Sequence, residues 1–293
     1  MQHTNPFWRN FKRLTVTAFA GLSLMVGAPA VAEDDSKGTV HLAYVEWSSE
    51  VASANVMRAL LEEAGFDVKT SALSAAAMWQ AVASGDADAT LAAWLPTTHQ
   101  DYYERLKEDI VDVGVNLDGT QLGLAVPTYV EIDSITELND AAALFNKEII
   151  GIDPGAGLQG LTEEVVKDYG LTLRLRDGSD ATMTAALANA INNNEPIVIT
   201  AWTPHWKFAR WDLKYLDDPK GVYGGAEQIH TITRTGFKED NPEAYAILER
   251  FEWTPADMEE VMLLNEQPGS DPYENAKKWL ADNPDKVKQW LGQ

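Results

Sequence analysis

Apolar residues along the chain follow two spacings, one typical of strands and one typical of helices, and the two alternate. Residues 40–47 form a short apolar segment that predicts a strand. Residues 51–61 carry apolar side chains every three or four positions, which predicts a helix that Gly65 ends. Residues 87–94 are almost wholly apolar, as in a parallel strand that is buried on both faces. The remaining predicted elements of this unit are a strand at 66–73 and a helix at 75–83.

The same alternation returns in a second unit that begins near Gly123. Its last predicted strand, residues 196–202, leads into Ala201-Trp202-Thr203-Pro204, much as the earlier apolar strand leads into Ala93-Trp94-Leu95-Pro96. Two α/β units whose last strands end alike predict a two-lobed α/β protein, in which each lobe is a mixed or parallel sheet flanked by helices and the ligand cleft lies between the lobes. The other predicted elements are strands at 121–127, 148–152 and 171–176 and helices at 158–169 and 180–192.

After the second unit the chain is expected to return to the first. A predicted strand at 229–235 is followed by helices that begin at Xaa-Pro pairs, because proline is favoured in the first turn of a helix. We therefore assign residues 33–122 and 226–293 to the first lobe and residues 123–225 to the second. The Xaa-Pro pairs are Asn241-Pro242, Thr254-Pro255, Asp271-Pro272 and Asn283-Pro284.

Residues 1–32 have the features of a cleavable export signal. Three basic residues and no acidic residue precede the apolar run 14–26, and Ala30-Val31-Ala32 is a small-x-small cleavage pattern. The apolar run holds about 13 residues, whereas a membrane-spanning helix needs roughly 20. We expect cleavage after Ala32 and an exported mature chain.

The composition excludes several classes of protein. The chain holds 45 Asp and Glu against 23 Lys and Arg, for a net charge of −22, whereas nucleic-acid binding needs a basic surface. The absence of cysteine excludes disulfides, thiol catalysis, cysteine-held metals and a lipid anchor on cysteine. We therefore expect a free periplasmic protein and a monomer, with no cofactor, no metal and no nucleic-acid partner.

Tryptophan is unusually frequent, with 10 residues against 9 tyrosines and 8 phenylalanines. Trp47, Trp94 and Trp202 follow predicted strands at their carboxyl ends, which is where open α/β sheets bind ligands. Two come from one lobe and one from the other, so we predict that they form a cage around a ligand. The remaining tryptophans that we interpret as core residues are Trp79, Trp206, Trp211, Trp253, Trp279 and Trp290.

A cage of indole rings suits a particular kind of ligand. The face of an indole carries negative potential and attracts a diffuse cation such as a quaternary ammonium. A methylated ammonium has no N–H to donate. An acidic side chain in the cage wall would therefore gain little hydrogen bonding from the ligand, and its carboxylate would have to be desolvated. The predicted cage therefore indicates a methylated cation.

Other residues predict a place for an anion. His99 follows Trp94 by five positions and could donate a hydrogen bond, although a helix-capping histidine is an alternative. Gly151 and Ile152 open a glycine-rich turn before a predicted helix, where backbone N–H groups can bind an anion, although a tight capped turn would use the same residues. Together with the cage, these groups favour a zwitterion such as a betaine.

Several segments resemble the glycine betaine-binding proteins of ABC transporters, the OpuAC-type substrate-binding family. The resemblance covers nearly all of the mature chain and implies a periplasmic-binding-protein fold that closes on its ligand, with a permease and its ATPase as partners. It also implies that Trp47, Trp94 and Trp202 hold the ammonium and that His99 and the Gly151-Ile152 amides hold the carboxylate. The segments are Tyr44-Val45-Glu46-Trp47, Gly85-Asp86-Ala87-Asp88-Ala89, Ala93-Trp94-Leu95-Pro96-Thr97-Thr98-His99, Gly151-Ile152-Asp153-Pro154-Gly155-Ala156-Gly157, Ala201-Trp202-Thr203-Pro204-His205-Trp206 and Leu213-Lys214-Tyr215-Leu216-Asp217-Asp218-Pro219-Lys220-Gly221.

Other ligands and another class of protein remain as alternatives. Choline fits the cage but lacks a carboxylate, whereas carnitine, proline betaine and dimethylsulfoniopropionate would satisfy both ends.

An exported hydrolase would need a nucleophile beside a base, and the sequence has neither a GxSxG nor an HExxH motif. Asp153 and Asp180 could be imagined as a carboxylate pair, but Asp153 precedes Pro154 in a turn, where capping is its ordinary use. We therefore expect a binding protein and not an enzyme.

Overall fold

Strands and helices alternate through most of the chain, largely as the sequence predicts. The computed structural model describes residues 36–293, so the predicted export signal at 1–32 lies outside the described residues. The strands are β1 Thr39–Tyr44, β2 Asp67–Ala72, β3 Ala89–Leu95, β4 Ile110–Pro127, β5 Glu148–Ile150, β6 Arg174–Arg176, β7 Ile199–Thr203, β8 Leu213–Tyr215 and β9 Glu227–Arg234. The α-helices are α1 Ser48–Glu63, α2 Ala75–Ser84, α3 Gln100–Leu106, α4 Gly157–Asp168, α5 Asp180–Asn192, α6 Trp206–Arg210, α7 Phe237–Asp240, α8 Pro242–Arg250, α9 Pro255–Asn265, α10 Pro272–Asp282 and α11 Pro284–Leu291.

The strands join in one mixed sheet with the order β2-β1-β3-β9-β4-β7-β5-β6, and β8 pairs with β4. β1 is parallel to β2 and β3, and β5 is parallel to β6 and β7. β4 and β9 run antiparallel to their neighbours. We call β1, β2, β3, β9 and residues 110–120 of β4 the first sheet half, and β5 to β8 with residues 121–127 of β4 the second sheet half.

The long strand β4 belongs to both sheet halves. Its first part pairs with β9 and its last part pairs with β7 and β8. The sequence predicted a strand only at 121–127, because Asp112, Gly114, Asn116 and Asp118 interrupt the apolar pattern before it. The pairing of β4 with β9 has three register shifts, which let these polar residues remain within a strand.

Local sequence accounts for the starts of several helices. Ser179 caps α5 and accepts a hydrogen bond from the Thr182 amide, and the bounds of this helix are those predicted. Each of the four C-terminal helices expected after a Xaa-Pro pair has its proline at the first position. These predictions are confirmed.

The C-terminal helices pack around a cluster of large aromatic residues. Phe251, Trp253, Trp279 and Trp290 are buried, and the rings of Trp279 and Trp290 stack with their centroids 6.1 Å apart. The interpretation of these three tryptophans as core residues is confirmed. Among residues 36–293, no helix combines the length and apolar character that a membrane crossing needs.

Candidate functional site

A small cavity lies where the two sheet halves meet. Trp47, Trp94 and Trp202 all line it, and His99 lines it with them. Among the described residues, no Asp, Glu, Lys or Arg lines this cavity, so its wall is aromatic and uncharged. The other lining residues are Ser49, Thr98, Leu122, Ile152, Ala156, Gly157 and Leu158.

Two of the cage tryptophans are held through their indole N–H groups by acidic side chains outside the cavity. Trp47 is the N-cap residue of α1, and its Nε1 donates to Asp153 Oδ2 at 2.9 Å. Trp94 lies near the end of β3, and its Nε1 donates to Glu50 Oε1 at 3.0 Å. Because the polar edge of each ring is occupied, it is the apolar ring surface that is left for a ligand.

Glu50 lies behind Trp94 and is almost fully buried. Burial raises the pKa of Glu50 to about 8, although the hydrogen bond from Trp94 opposes the shift. The carboxyl group is therefore mostly protonated at neutral pH. It satisfies the indole N–H without placing a full negative charge behind the ring.

Trp202 enters the cavity from β7 and has different neighbours. The His205 ring lies at right angles to the Trp202 ring, with the two centroids 4.6 Å apart. Lys207 Nζ lies over the Trp202 ring at 3.9 Å from its centroid. Neither His205 nor Lys207 lines the cavity. The third tryptophan is thus held by ring contacts.

His99 lines the cavity and has one ring nitrogen without a hydrogen-bond partner among the described residues. Its Nδ1 accepts from the backbone N–H of Trp94 at 3.1 Å, so in the neutral ring the proton is on Nε2. Nε2 is buried and has no hydrogen-bond partner within the described residues. Burial lowers the pKa of His99 to about 4, although the backbone of Ala92 opposes the shift. The ring is therefore neutral at physiological pH and carries an unused N–H.

The predicted amide donors Gly151 and Ile152 already have acceptors inside the protein. The Gly151 amide donates to the Arg176 carbonyl at 2.9 Å, and the Ile152 amide donates to Gln159 Oε1 at 3.0 Å. Gly151 does not line the cavity, whereas Ile152 does. A Cβ at Gly151 would lie 2.3 Å from Gln159 Oε1, so this glycine makes room for a buried glutamine.

Gly157 and Leu158 begin α4 and line the cavity, and Gly157 ends the glycine-rich turn in which the sequence predicted an anion site with donors at Gly151 and Ile152. Amides in the first turn of a helix have no acceptor within the helix and attract anions. A Cβ at Gly157 would lie 2.0 Å from the Thr98 carbonyl oxygen, so only glycine allows this close approach. The predicted start of a helix at 158 was the signal that could have identified these amides.

The loop that carries Thr98 is fixed by a buried acid on β9. Glu227 accepts hydrogen bonds from the backbone amides of Thr97 and Thr98, and from the Thr98 hydroxyl. The loop ends at His99, which is the N-cap residue of α3. Glu227 therefore positions both the close contact with Gly157 and the histidine donor.

A second buried network joins the sheet halves beside the cavity. The amide and hydroxyl of Ser48 donate to Asp180 Oδ2 at 2.9 and 2.7 Å, and His205 Nε2 lies 3.1 Å from Asp180 Oδ1. Burial would raise the pKa of Asp180, but His205, Lys207 and Ser48 together hold it below its ordinary value. His205 accepts the Lys207 amide at Nδ1, so Nε2 donates to Asp180. The sequence had suggested Asp180 only as half of a catalytic pair with Asp153.

Comparisons with known proteins place the chain in a family. Residues 38–282 match the OpuAC family model, described as the substrate-binding domain of ABC-type glycine betaine transport systems. The chain is 52% identical over 155 residues to the glycine betaine/carnitine transport binding protein GbuC of Listeria monocytogenes, a match that covers 52% of this chain and 51% of that protein. The chain therefore spans about half the length of this curated relative.

Solved structures match over nearly the whole described chain. Lactococcal OpuAC in its closed form with glycine betaine has a TM-score of 0.83 and 45% identity, covering 87% of this chain and 99% of that one. An ABC-transporter choline binding protein in complex with choline has a TM-score of 0.80 and 27% identity, covering 87% of this chain and 91% of that one.

The lowered pKa of His99 predicts a specific dependence of stability on pH. An unfolded histidine has a pKa of about 6.5. Between about pH 6.5 and 4 the unfolded chain therefore binds a proton that folded His99 does not bind, and stability is lost as the pH falls through this window. Urea unfolding at several pH values measures the free energy of unfolding. As the pH falls, this free energy should decrease less steeply for His99→Gln than for the unchanged protein, and the two slopes should differ by the equivalent of up to one bound proton. Equal slopes would contradict the buried neutral ring.

Proposed function

The chain belongs to the OpuAC family, the substrate-binding domains of ABC-type glycine betaine transport systems, and we propose that it binds glycine betaine in the tryptophan-lined cavity and delivers it to a membrane permease. The family resemblance predicted from the sequence motifs is confirmed. The predicted two-lobed α/β class is also confirmed, by the likeness to lactococcal OpuAC. The family is that of substrate-binding proteins of ABC transport systems, and we infer the ligand, the binding residues and the partners from the site and from this family.

The observation that carries the proposal is that three indole rings and a set of neutral hydrogen-bond donors line the same uncharged cavity. Trp47, Trp94 and Trp202 supply faces for a quaternary ammonium, each worth about 0.5–2 kcal/mol. Three such faces would provide a large part of the roughly 8 kcal/mol that a micromolar dissociation constant requires. A quaternary ammonium has no N–H group, so it gives up no hydrogen bonds to water when these rings surround it.

The other end of the ligand would be held by the His99 nitrogen that is unpartnered among residues 36–293 and by amides in the first turn of α4, which have no acceptor within the helix. We assign the carboxylate to the His99 Nε2–H and to the amides of Gly157 and Leu158. In this assignment Gly157 and Leu158 replace the predicted pair Gly151 and Ile152. The amides of that pair are engaged elsewhere, and Ile152 remains as a wall of the cavity. Neutral donors suit a zwitterion, which brings its own balancing charge.

Residues from both proposed lobes surround the cavity, so we expect it to close when the two lobes approach each other. We keep residues 33–122 and 226–293 as the first lobe and 123–225 as the second, and the division of strand pairing within β4 supports this boundary. Trp47 with Asp153, and Ser48 with Asp180, connect the lobes by hydrogen bonds. We infer that these contacts form when the lobes close on the ligand.

The cellular setting follows from the role. We propose that the export signal is cleaved after Ala32 and that the mature protein acts as a free monomer in the periplasm. Its partners would be a permease and, through it, an ATPase. The ligand would be released unchanged, because the cavity wall contains no nucleophile paired with a base within residues 36–293.

Choline is the second candidate, because a choline-binding protein is among the similar solved structures. Choline would use the tryptophan faces but would leave the donors of His99, Gly157 and Leu158 without an anion. Unused buried donors cost about 1–3 kcal/mol each, so the cavity favours a carboxylate. Carnitine, proline betaine and dimethylsulfoniopropionate satisfy the same groups and must be compared directly.

Calorimetry with glycine betaine, choline, carnitine, proline betaine and dimethylsulfoniopropionate tests the proposal. We expect the carboxylated ligands to bind more tightly than choline and to change the intrinsic tryptophan fluorescence, because they contact the cage rings. The absence of binding to every methylated cation would overturn the proposed function.

Trp94→Ala should weaken binding at least about tenfold. The control is Trp211→Ala, at a tryptophan outside the cavity wall, which should retain affinity.

His99→Ala separates the two ends of the ligand. The variant loses a neutral donor to the carboxylate, so we expect the affinity for glycine betaine to fall by about tenfold or more. The affinity for choline should change much less, because choline presents no anion to this group. Titration of both ligands against both proteins measures the difference. Equal losses for the two ligands would mean that His99 is only structural.

Gly157→Ala tests the close approach between the start of α4 and the Thr98 loop. The added methyl group would meet the Thr98 carbonyl oxygen, so we expect incomplete closure and an affinity at least about tenfold lower, with little change in thermal stability. Gly160→Ala, on the same helix, is the matched control, because a Cβ added at Gly160 would meet nothing within 4 Å. Unchanged affinity in Gly157→Ala would contradict the assigned closed geometry.

A further inference from the structure

A fully buried lysine lies against the third tryptophan of the cavity. Lys207, the second residue of α6, has no exposed surface, and its Nζ has no hydrogen-bond partner within the described residues. The ammonium lies over the Trp202 ring, with Nζ 3.9 Å from the ring centroid, and Nζ lies 5.6 Å from the centroid of the Phe208 ring. Lysine is rarely buried without an acidic partner, so this placement needs an explanation.

The two sides of the Trp202 ring have different neighbours. Trp202 lines the cavity, whereas Lys207 does not. If Lys207 covered the side that is open to the cavity, it would itself be part of the wall. We therefore infer that the lysine ammonium and a ligand cation lie on opposite sides of the same indole. Both draw on the negative potential of one π system, and they repel each other through it.

The charges around Lys207 compensate its ammonium only in part. Asp180 acts on it from the start of α5, and His205 beside α6 donates to Asp180 as a neutral ring. Glu266, which follows the last residue of α9, has its pKa raised by burial and by Asp180, whereas Arg210 opposes the shift. Burial lowers the pKa of Lys207 to about 7, and Asp180 opposes the shift. Both charge states of the amine are therefore accessible near neutral pH.

We propose that Lys207 sets the affinity of the cage, because its charged amine competes with the ligand cation for Trp202 and its neutral amine does not. The inference rests on the proposed function, since it requires a methylated cation as the ligand. Binding then favours transfer of one proton from Lys207 Nζ to the solvent. The cage would bind its ligand more tightly above the pH at which Lys207 loses its proton than below it.

The test is calorimetric titration of glycine betaine at about pH 6, 7 and 8.5, which bracket the titration of Lys207. We expect the unchanged protein to gain affinity by up to about tenfold across this range, which is the contribution of one aromatic face. Lys207→Met, which has an unbranched neutral side chain, should bind tightly at every pH. Lys207→Arg, which stays charged, should bind weakly at every pH.

Three controls isolate the lysine. Lys278→Met removes an exposed lysine of α10 and should keep the original pH profile. Glu50 also titrates in this range, with a pKa of about 8, and its ionisation would strengthen cation binding as well. The pH series is therefore repeated with Glu50→Gln, and the dependence assigned to Lys207 should persist there. Thermal unfolding of each variant shows whether the fold is kept.

Proton release gives a second measurement that a purely structural lysine would not affect. In the Glu50→Gln background, binding heats near pH 7 in two buffers with different ionisation enthalpies should show release of part of a proton when Lys207 is present, and none when it is replaced by Met. A Lys207→Met protein that is folded but binds no more tightly at pH 6, or keeps the original pH profile, would overturn the inference and leave the proposed function intact. If neither protein binds any methylated cation, both fail.

Discussion

The cavity depends on how the polar edges of its tryptophans are satisfied. An indole offers a ligand cation its face, but its N–H must have an acceptor, because a buried donor left unpaired costs about 1–3 kcal/mol. Asp153 and Glu50 accept these N–H groups from outside the cavity and thereby fix the planes of Trp47 and Trp94. The acids that orient the rings stay out of the wall, so the cavity remains uncharged. An uncharged wall of this kind suits a zwitterion, which needs contacts at both ends and no counter-ion.

The same hydrogen bonds make the site a joint product of the two sheet halves. Asp153 lies next to the second half and accepts from a tryptophan that follows β1, while Asp180 at the start of α5 accepts from Ser48 at the start of α1. Gly157 completes the contact by bringing α4 against the Thr98 carbonyl. Orientation of the aromatic rings and approach of the two halves are therefore coupled, because one set of hydrogen bonds serves both.

Much of the fold and the aromatic part of the site could be predicted, because both rest on patterns local in sequence. Apolar runs and proline positions identified most strands and the four C-terminal helices, and strand ends identified Trp47, Trp94 and Trp202 as cavity residues. The first part of β4 was missed because its polar residues are accommodated by pairing with β9, which lies more than 100 residues away. The engagement of the Gly151 and Ile152 amides could not be predicted for a similar reason. Their acceptors, the Arg176 carbonyl and the Gln159 side chain, are brought there by the fold and cannot be identified from a glycine-rich segment.

The strand β4 also determines how the molecule can move. The chain passes between the sheet halves only twice within residues 36–293, inside β4 and again just before β9. The last register shift of β4 lies between Asp118 and Thr120, directly before the first crossing, and Gly119 there has a φ of +84°. Rotation of a few peptide units at these crossings would change the angle between the halves without breaking the strand pairing within either half. The peptide units at which the halves could turn are therefore distinct from the residues that line the cavity.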